Sequence, residues 1–130
     1  MESTDSRPDH SIWPLLTSTD ALALRAWLAR LGFTDGVCIV DGSRVHHSEM
    51  LWPEGGRVMV CTANPGDAHL VPPGSAGIYV VTAHPDQVHA RSVEIGAAIT
   101  RDLQDTDFGS RTFSLTTPDG HGISFGTYEG

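Results

Sequence analysis

Asp105–Tyr128, DTDFGSRTFSLTTPDGHGISFGTY, is the stretch that decides the fold. Thr112 to Thr117 places Thr and Phe at β-favouring positions, Pro118-Asp119-Gly120 supplies a tight turn, and Ile123 to Tyr128 returns with aromatic residues, so the stretch reads as a β-hairpin. The same hairpin is written earlier in the chain. Trp52-Pro-Glu-Gly-Gly-Arg-Val-Met-Val60 aligns with Thr117-Pro-Asp-Gly-His-Gly-Ile-Ser-Phe125 at a displacement of 65 residues, and Leu31-Gly32-Phe33 aligns with Ile95-Gly96-Ala97 at 64. Two independent matches at displacements one residue apart indicate a duplicated unit.

Working outward, residues 1–10 are polar and mixed in charge and are expected to form a flexible tail. A short strand is expected near Ile12 to Ser18. Thr19 or Asp20 then caps a helix running to about Leu31, with Leu24, Trp27, Leu28 and Leu31 on one stripe and Gly32 as its stop. Val37–Val40 and Val45–Trp52 flank Asp41-Gly42, a strong hairpin signal, and a strand follows from about Arg57 to Thr62. Pro- and Gly-rich Asn64–Ser75 reads as an exposed connection. Beyond it come a strand over Gly77–Thr82, a helix over Pro85–Ile95 ended by Gly96, and a strand from Ile99 to Leu103 that leads into the hairpin. The expected class is α+β: two tandem βαβββ modules, 11–64 and 76–130, joined by 65–75 in one domain and forming a curved mixed sheet with a cleft.

The 130 residues are 39% apolar and 18% charged, an ordinary globular balance. A formal net charge of -8 argues against nucleic-acid phosphate as partner and favours a neutral or cationic one, although solubility alone accounts for it. Cys38 and Cys61 have neither CxxC spacing nor a Cys-dense frame, so free thiols in a reducing compartment are expected. No apolar run approaches the ~18 residues of a membrane span. The expectation is a cytoplasmic protein without membrane association.

Two βαβββ units, a Gly at each helix end, and Asp107-Phe-Gly-Ser-Arg-Thr-Phe113 followed by Pro118-Asp-Gly-His121 and Ser124-Phe-Gly-Thr-Tyr128 resemble the vicinal oxygen chelate superfamily, within it the glyoxalase and bleomycin-resistance group. That fold hosts isomerases, lyases, dioxygenases, thiol transferases and drug-binding proteins. The resemblance implies a metal site on the first and last strands of each unit, at about Trp13, Gly77, Ser124 and Met59 or Val60 here. None of these is an imidazole or carboxylate, so no metal and no other cofactor is expected, and the family's metal-assisted chemistry is discounted. What the resemblance then implies is a non-catalytic antibiotic-resistance protein, a homodimer whose two chains share each cleft, which binds and sequesters an aromatic antibiotic unmodified.

Counting strand alternation from the turn places His46, Ser48, Met50, Trp52, Met59 and Cys61 of the first half toward the cleft, with Phe113, Leu115, Ser124 and Tyr128 of the second, Ser124 lying opposite Leu115. Trp13 and Tyr79 join them. Aromatic faces, thioethers and a few polar groups suit a flat, partly apolar ligand; plain core packing is the alternative for each aromatic. A one-residue slip would bring His47, Glu49 and Val60 inward instead. His47 and Glu49 on one face keep open a rival reading, a metal-dependent or His-assisted lyase, isomerase or dioxygenase of the same superfamily. The Asp105–Ser110 loop, with Phe108 at its tip, forms a candidate lip, and Arg111 a candidate salt link to Asp105 or Asp107.

Overall fold

The computed structural model describes residues 11–130, so the tail expected over 1–10 lies outside the described residues. The first unit comprises β1 (Leu15–Ser18), α1 (Ala21–Leu31), β2 (Thr34–Asp41), β3 (Arg44–Leu51) and β4 (Arg57–Thr62). The second comprises β5 (Gly77–Val81), α2 (Pro85–Glu94), β6 (Ala98–Asp105), β7 (Arg111–Thr116) and β8 (Gly122–Gly126). Each forms a four-stranded mixed sheet, in the orders β1-β4-β3-β2 and β5-β8-β7-β6, with the first strand parallel to the last and the other pairs antiparallel. The class is α+β, as the periodicity predicts.

Local chemistry explains the elements. Asp20 caps α1 by accepting from the Ala23 N–H at 3.1 Å, and Gly32, at φ +133°, ends it. Pro85 opens α2, where a missing N–H costs nothing. Each helix lays its apolar stripe on one face of its sheet. There Leu16, Leu24, Leu28, Leu31, Val45, Met50, Val58 and Val60 meet Val88, Phe113, Leu115, Ile123 and Phe125 in one continuous core. Phe113 and Phe125, both fully buried, stack at 5.3 Å across the β7–β8 pair. Burial of such side chains contributes roughly 1.5–3 kcal/mol each.

The hairpin turns set the register differently from the sequence count. In β7–β8, Gly120 N–H donates to Thr117 O and Thr117 N–H to His121 O, with Gly120 at φ +95°. In β3–β4, Gly55 N–H donates to Trp52 O and Trp52 N–H to Gly56 O, with Gly55 at φ +121°. A turn followed by a left-handed Gly adds one residue to the loop and moves every cross-strand partner by one. Ser124 therefore pairs with Ser114, not Leu115, and Met59 pairs with Glu49.

The units hold each other reciprocally. Trp52 Nε1 donates to Val81 O at 3.1 Å, while His121 Nε2 lies 2.7 Å from Thr17 O. Glu54 accepts from Thr82 Oγ1 and the Ala83 N–H, and its counterpart Asp119 accepts from the Thr19 N–H. Each hairpin turn thus grips the strand-to-helix junction of the other unit.

Candidate functional site

With the helices on one face of each sheet, the opposite, open faces are available to a ligand. The turn-shifted register decides what lies there. On the first sheet, Ser48 and Met50 are fully buried against the helices, and alternation puts His47, Glu49, Leu51, Arg57 and Met59 on the open face. His46 occupies a β-bulge, where Ile39 pairs with His47 but Val40 with Val45, and is exposed. On the second sheet, Phe113 and Leu115 are fully buried in the core, and the open face carries Tyr79, Thr112, Ser114, Thr116 and Ser124.

The expected set is thereby divided. Ser48, Met50, Phe113 and Leu115 are core residues, misplaced by the loop parity; Met59, Ser124, Tyr79, Trp13 and Tyr128 remain on or beside the open faces. Trp52 is buried between Phe33 and Phe125, at ring distances of 4.8 and 5.6 Å, and reaches ligand space only through a cavity described below.

Glu49 is the centre of the first open face. One carboxylate oxygen lies 2.7 Å from His47 Nε2, and the other accepts from Arg57 Nη1 at 2.7 Å. The His47 hydrogen bond, followed by that of Arg57, holds this carboxyl below the usual glutamate range. Trp13 covers the Arg57 guanidinium, its ring centroid 4.5 Å from Cζ. From behind, the buried Arg25 of α1 donates to Glu49 O at 3.1 Å and fixes the strand backbone. Arg57 and Arg25 are residues the sequence reading did not select. For Arg25 the signal was its place on the α1 stripe, one residue after Leu24.

The second open face is hydroxylic. Ser114 Oγ and Ser124 Oγ lie 2.7 Å apart, and Thr112 Oγ1 donates to Phe125 O at 2.9 Å. At one end Tyr79 Oη donates to Tyr128 O, and Tyr128 meets Phe108 edge-on at 5.5 Å. Tyr79, Phe108 and Tyr128 are 46%, 68% and 52% exposed, a cluster of rings open to solvent. Arg111 ties the loop beneath Phe108 by bonding Asp86 at 2.8 Å and Asp105 at 3.1 Å. Asp105 was one expected partner; Asp86 replaces Asp107 as the other.

A cavity of about 390 Å³ lies at the seam between the units, lined among others by Trp52, Glu54, Gly56, Arg57, Tyr79 and Val81. Glu54 is fully engaged with Thr82 and Ala83, as above.

The register partners of Met59 and Ser124 are Leu15 and Tyr79, each two residues on from the Trp13 and Gly77 expected at the implied metal positions. This donor set, with one phenol, one hydroxyl, one thioether and no carboxylate or imidazole, does not fit a divalent cation. Among the described residues no three His, Cys, Asp or Glu side chains converge. No helix among them is long and apolar enough to cross a membrane.

No family model matches the chain, and no curated protein matches it in sequence. Solved structures match it closely in shape. TioX from Micromonospora sp. ML1 is 25% identical, with a TM-score of 0.76 over 93% of this chain and 99% of that one. A glyoxylase/bleomycin resistance protein/dioxygenase domain from Frankia sp. EAN1pec is 15% identical, with a TM-score of 0.72 over 95% of this chain and 100% of that one. A bleomycin-binding protein in complex with bleomycin is 16% identical, with a TM-score of 0.65 over 93% and 100%. Duplicated βαβββ units, their mixed sheets and these neighbours agree: the fold of this chain is the glyoxalase/bleomycin-resistance fold.

Proposed function

We propose that this protein binds and sequesters an aromatic natural-product drug in the cytoplasm, without metal and without altering the ligand. The observation that carries the reading is the chemistry of the open faces. Exposed rings (Trp13, Tyr79, Phe108, Tyr128), the Met59 thioether and a row of hydroxyls (Thr112, Ser114, Ser124) offer stacking and hydrogen bonding to a flat molecule, and the strand positions that hold metal in the family carry no suitable donors. A neighbour of the same fold that is complexed with bleomycin supports a small-molecule antibiotic as ligand. A homodimer in which each cleft is shared would give cover to exposed apolar side chains such as Ile12, Val37, Ile39, Tyr79 and Val81.

A His-assisted enzyme is favoured by one observation, the His47–Glu49 pair at 2.7 Å. Glu49 is a weak base in that pair, because Arg57 takes its second oxygen and its pKa is lowered. The test is titration of metal-stripped protein with a panel of aromatic antibiotics, followed by tryptophan emission and by mass analysis of the recovered ligand. Saturable quenching with unchanged mass supports sequestration; a requirement for added divalent metal, or an altered ligand, overturns it.

A further inference from the structure

Among the described residues, Nε of Arg57 is the buried side-chain nitrogen that lacks a hydrogen-bond partner. Two other parts of its guanidinium are engaged. Nη1 is held by Glu49, and the Trp13 ring covers one face. A buried donor on a cation is normally satisfied by protein, ordered water or ligand, and here no acceptor among the described residues bonds it. Arg57 also lines the seam cavity.

The duplicated counterpart of that seam shows why the cavity exists. There the imidazole of His121 bonds Thr17 O and accepts from the Ala76 N–H, filling the junction. The matching residue in the first unit is Gly56, where an added Cβ would meet no atom within 4 Å. One junction is closed by a side chain and the other is left open beside an unpaired donor.

Resting on the drug-binding reading above, we infer that the seam cavity is the polar subsite of the cleft, in which Arg57 Nε–H donates to a neutral carbonyl-type oxygen on the flat aromatic ligand. The sign of the ligand follows from the other groups. A cation is repelled by the Arg57 guanidinium it would have to approach, and the oxygens of Glu49 and Glu54 nearby are already taken. A full anion is opposed by Glu54, by the exposed Glu129 that also lines the cavity, and by the net charge of -8. A polarised neutral oxygen satisfies Nε without either conflict. Trp13, 37% exposed, already covers one face of that guanidinium.

The test compares acridone, a planar ketone, with 9-aminoacridine, a planar cation of the same three-ring outline without the acceptor, on the full chain. Wild-type protein should prefer acridone, and acridone should move the Arg57 Nε–H resonance in a side-chain ¹⁵N spectrum. R57K keeps a cation for Glu49 but has no Nε–H, and should weaken acridone by about tenfold or more relative to 9-aminoacridine, the loss expected for one charge-assisted hydrogen bond. The wild-type resonance decides the matter if R57K folds poorly. Preference for the cation, acridone binding with that resonance unmoved, or equal relative affinities in a folded R57K overturns the inference. Should wild type saturate with a member of the antibiotic panel while Arg57 stays silent, the subsite falls and sequestration stands; binding of no planar compound removes both.

Discussion

Replacing His121 by Ala should destabilise the chain by about 3–5 kcal/mol. The imidazole is fully buried, lies 2.7 Å from Thr17 O through Nε2 and accepts the Ala76 N–H through Nδ1 at 3.1 Å. The short contact with a carbonyl requires the hydrogen on Nε2, which leaves Nδ1 as the acceptor. Truncation strands one buried carbonyl, at about 1–3 kcal/mol, and one partly buried N–H, and opens a void that water only partly refills. Against a total stability of about 5–15 kcal/mol this is a large fraction. With a urea m-value of roughly 1–3 kcal/mol/M, the midpoint of unfolding should fall by about 2 M, with m unchanged. Trp52→Phe is the internal comparison: it removes the reciprocal bond to Val81 O but keeps the ring packing, and should cost only about 1 kcal/mol. A His121→Ala cost below about 1 kcal/mol, or one no larger than that of Trp52→Phe, would refute the argument that this imidazole locks the two units.

Three further outcomes follow from contacts at Glu49, Cys61 and Gly74. Glu49 has a lowered pKa, so its contribution is present above the ordinary glutamate value of 4.5 and lost as pH falls through the folded value; Glu49→Gln should be destabilising at pH 7, and the gap from wild type in urea midpoint should close as pH drops below 4.5. Burial pushes the Cys61 thiol up, and Cys61 is less exposed than Cys38, so a disulfide reagent at neutral pH should label Cys38 first and Cys61 only on unfolding, as peptide mass mapping would show. Gly74 sits at φ +86°, and a Cβ there would lie 2.6 Å from Asp119 O; Gly74→Ala should cost at least about 1–3 kcal/mol by thermal denaturation, and a neutral result would disprove the close packing of the connection on the β7–β8 turn.

The fold was legible because its signals are local. Asp20, Gly32 and Pro85 mark helix ends, Asp41-Gly42 marks a hairpin, and the repeated turn marks the duplication. The open face was legible only in part, since it depends on the parity of a loop. Gly120 and Gly55 take positive φ and lengthen each turn by one residue, which exchanged Ser48 and Met50 for His47 and Glu49. The bulge at His46 is a second local slip with no signal in the residues themselves. Trp13 was found because it falls at a first-strand position that the family resemblance implies; its actual neighbour, Arg57, comes from the far side of a hairpin, a pairing that follows only once the register is known.

The difference between the two junctions has an evolutionary reading. A chain made of two copies holds a spare of every internal fastening, so one copy can be released from its structural duty while the other continues to bear it. Here the release involves backbone as well as side chain, for Gly56 has φ +87° whereas His121 stays on the negative side. Neither state is a single substitution from the other: a histidine placed at 56 would meet a main chain turned against it. Once separated in this way, the fastened junction and the open one diverge as different features, and the second is at liberty to follow whichever ligand selection favours.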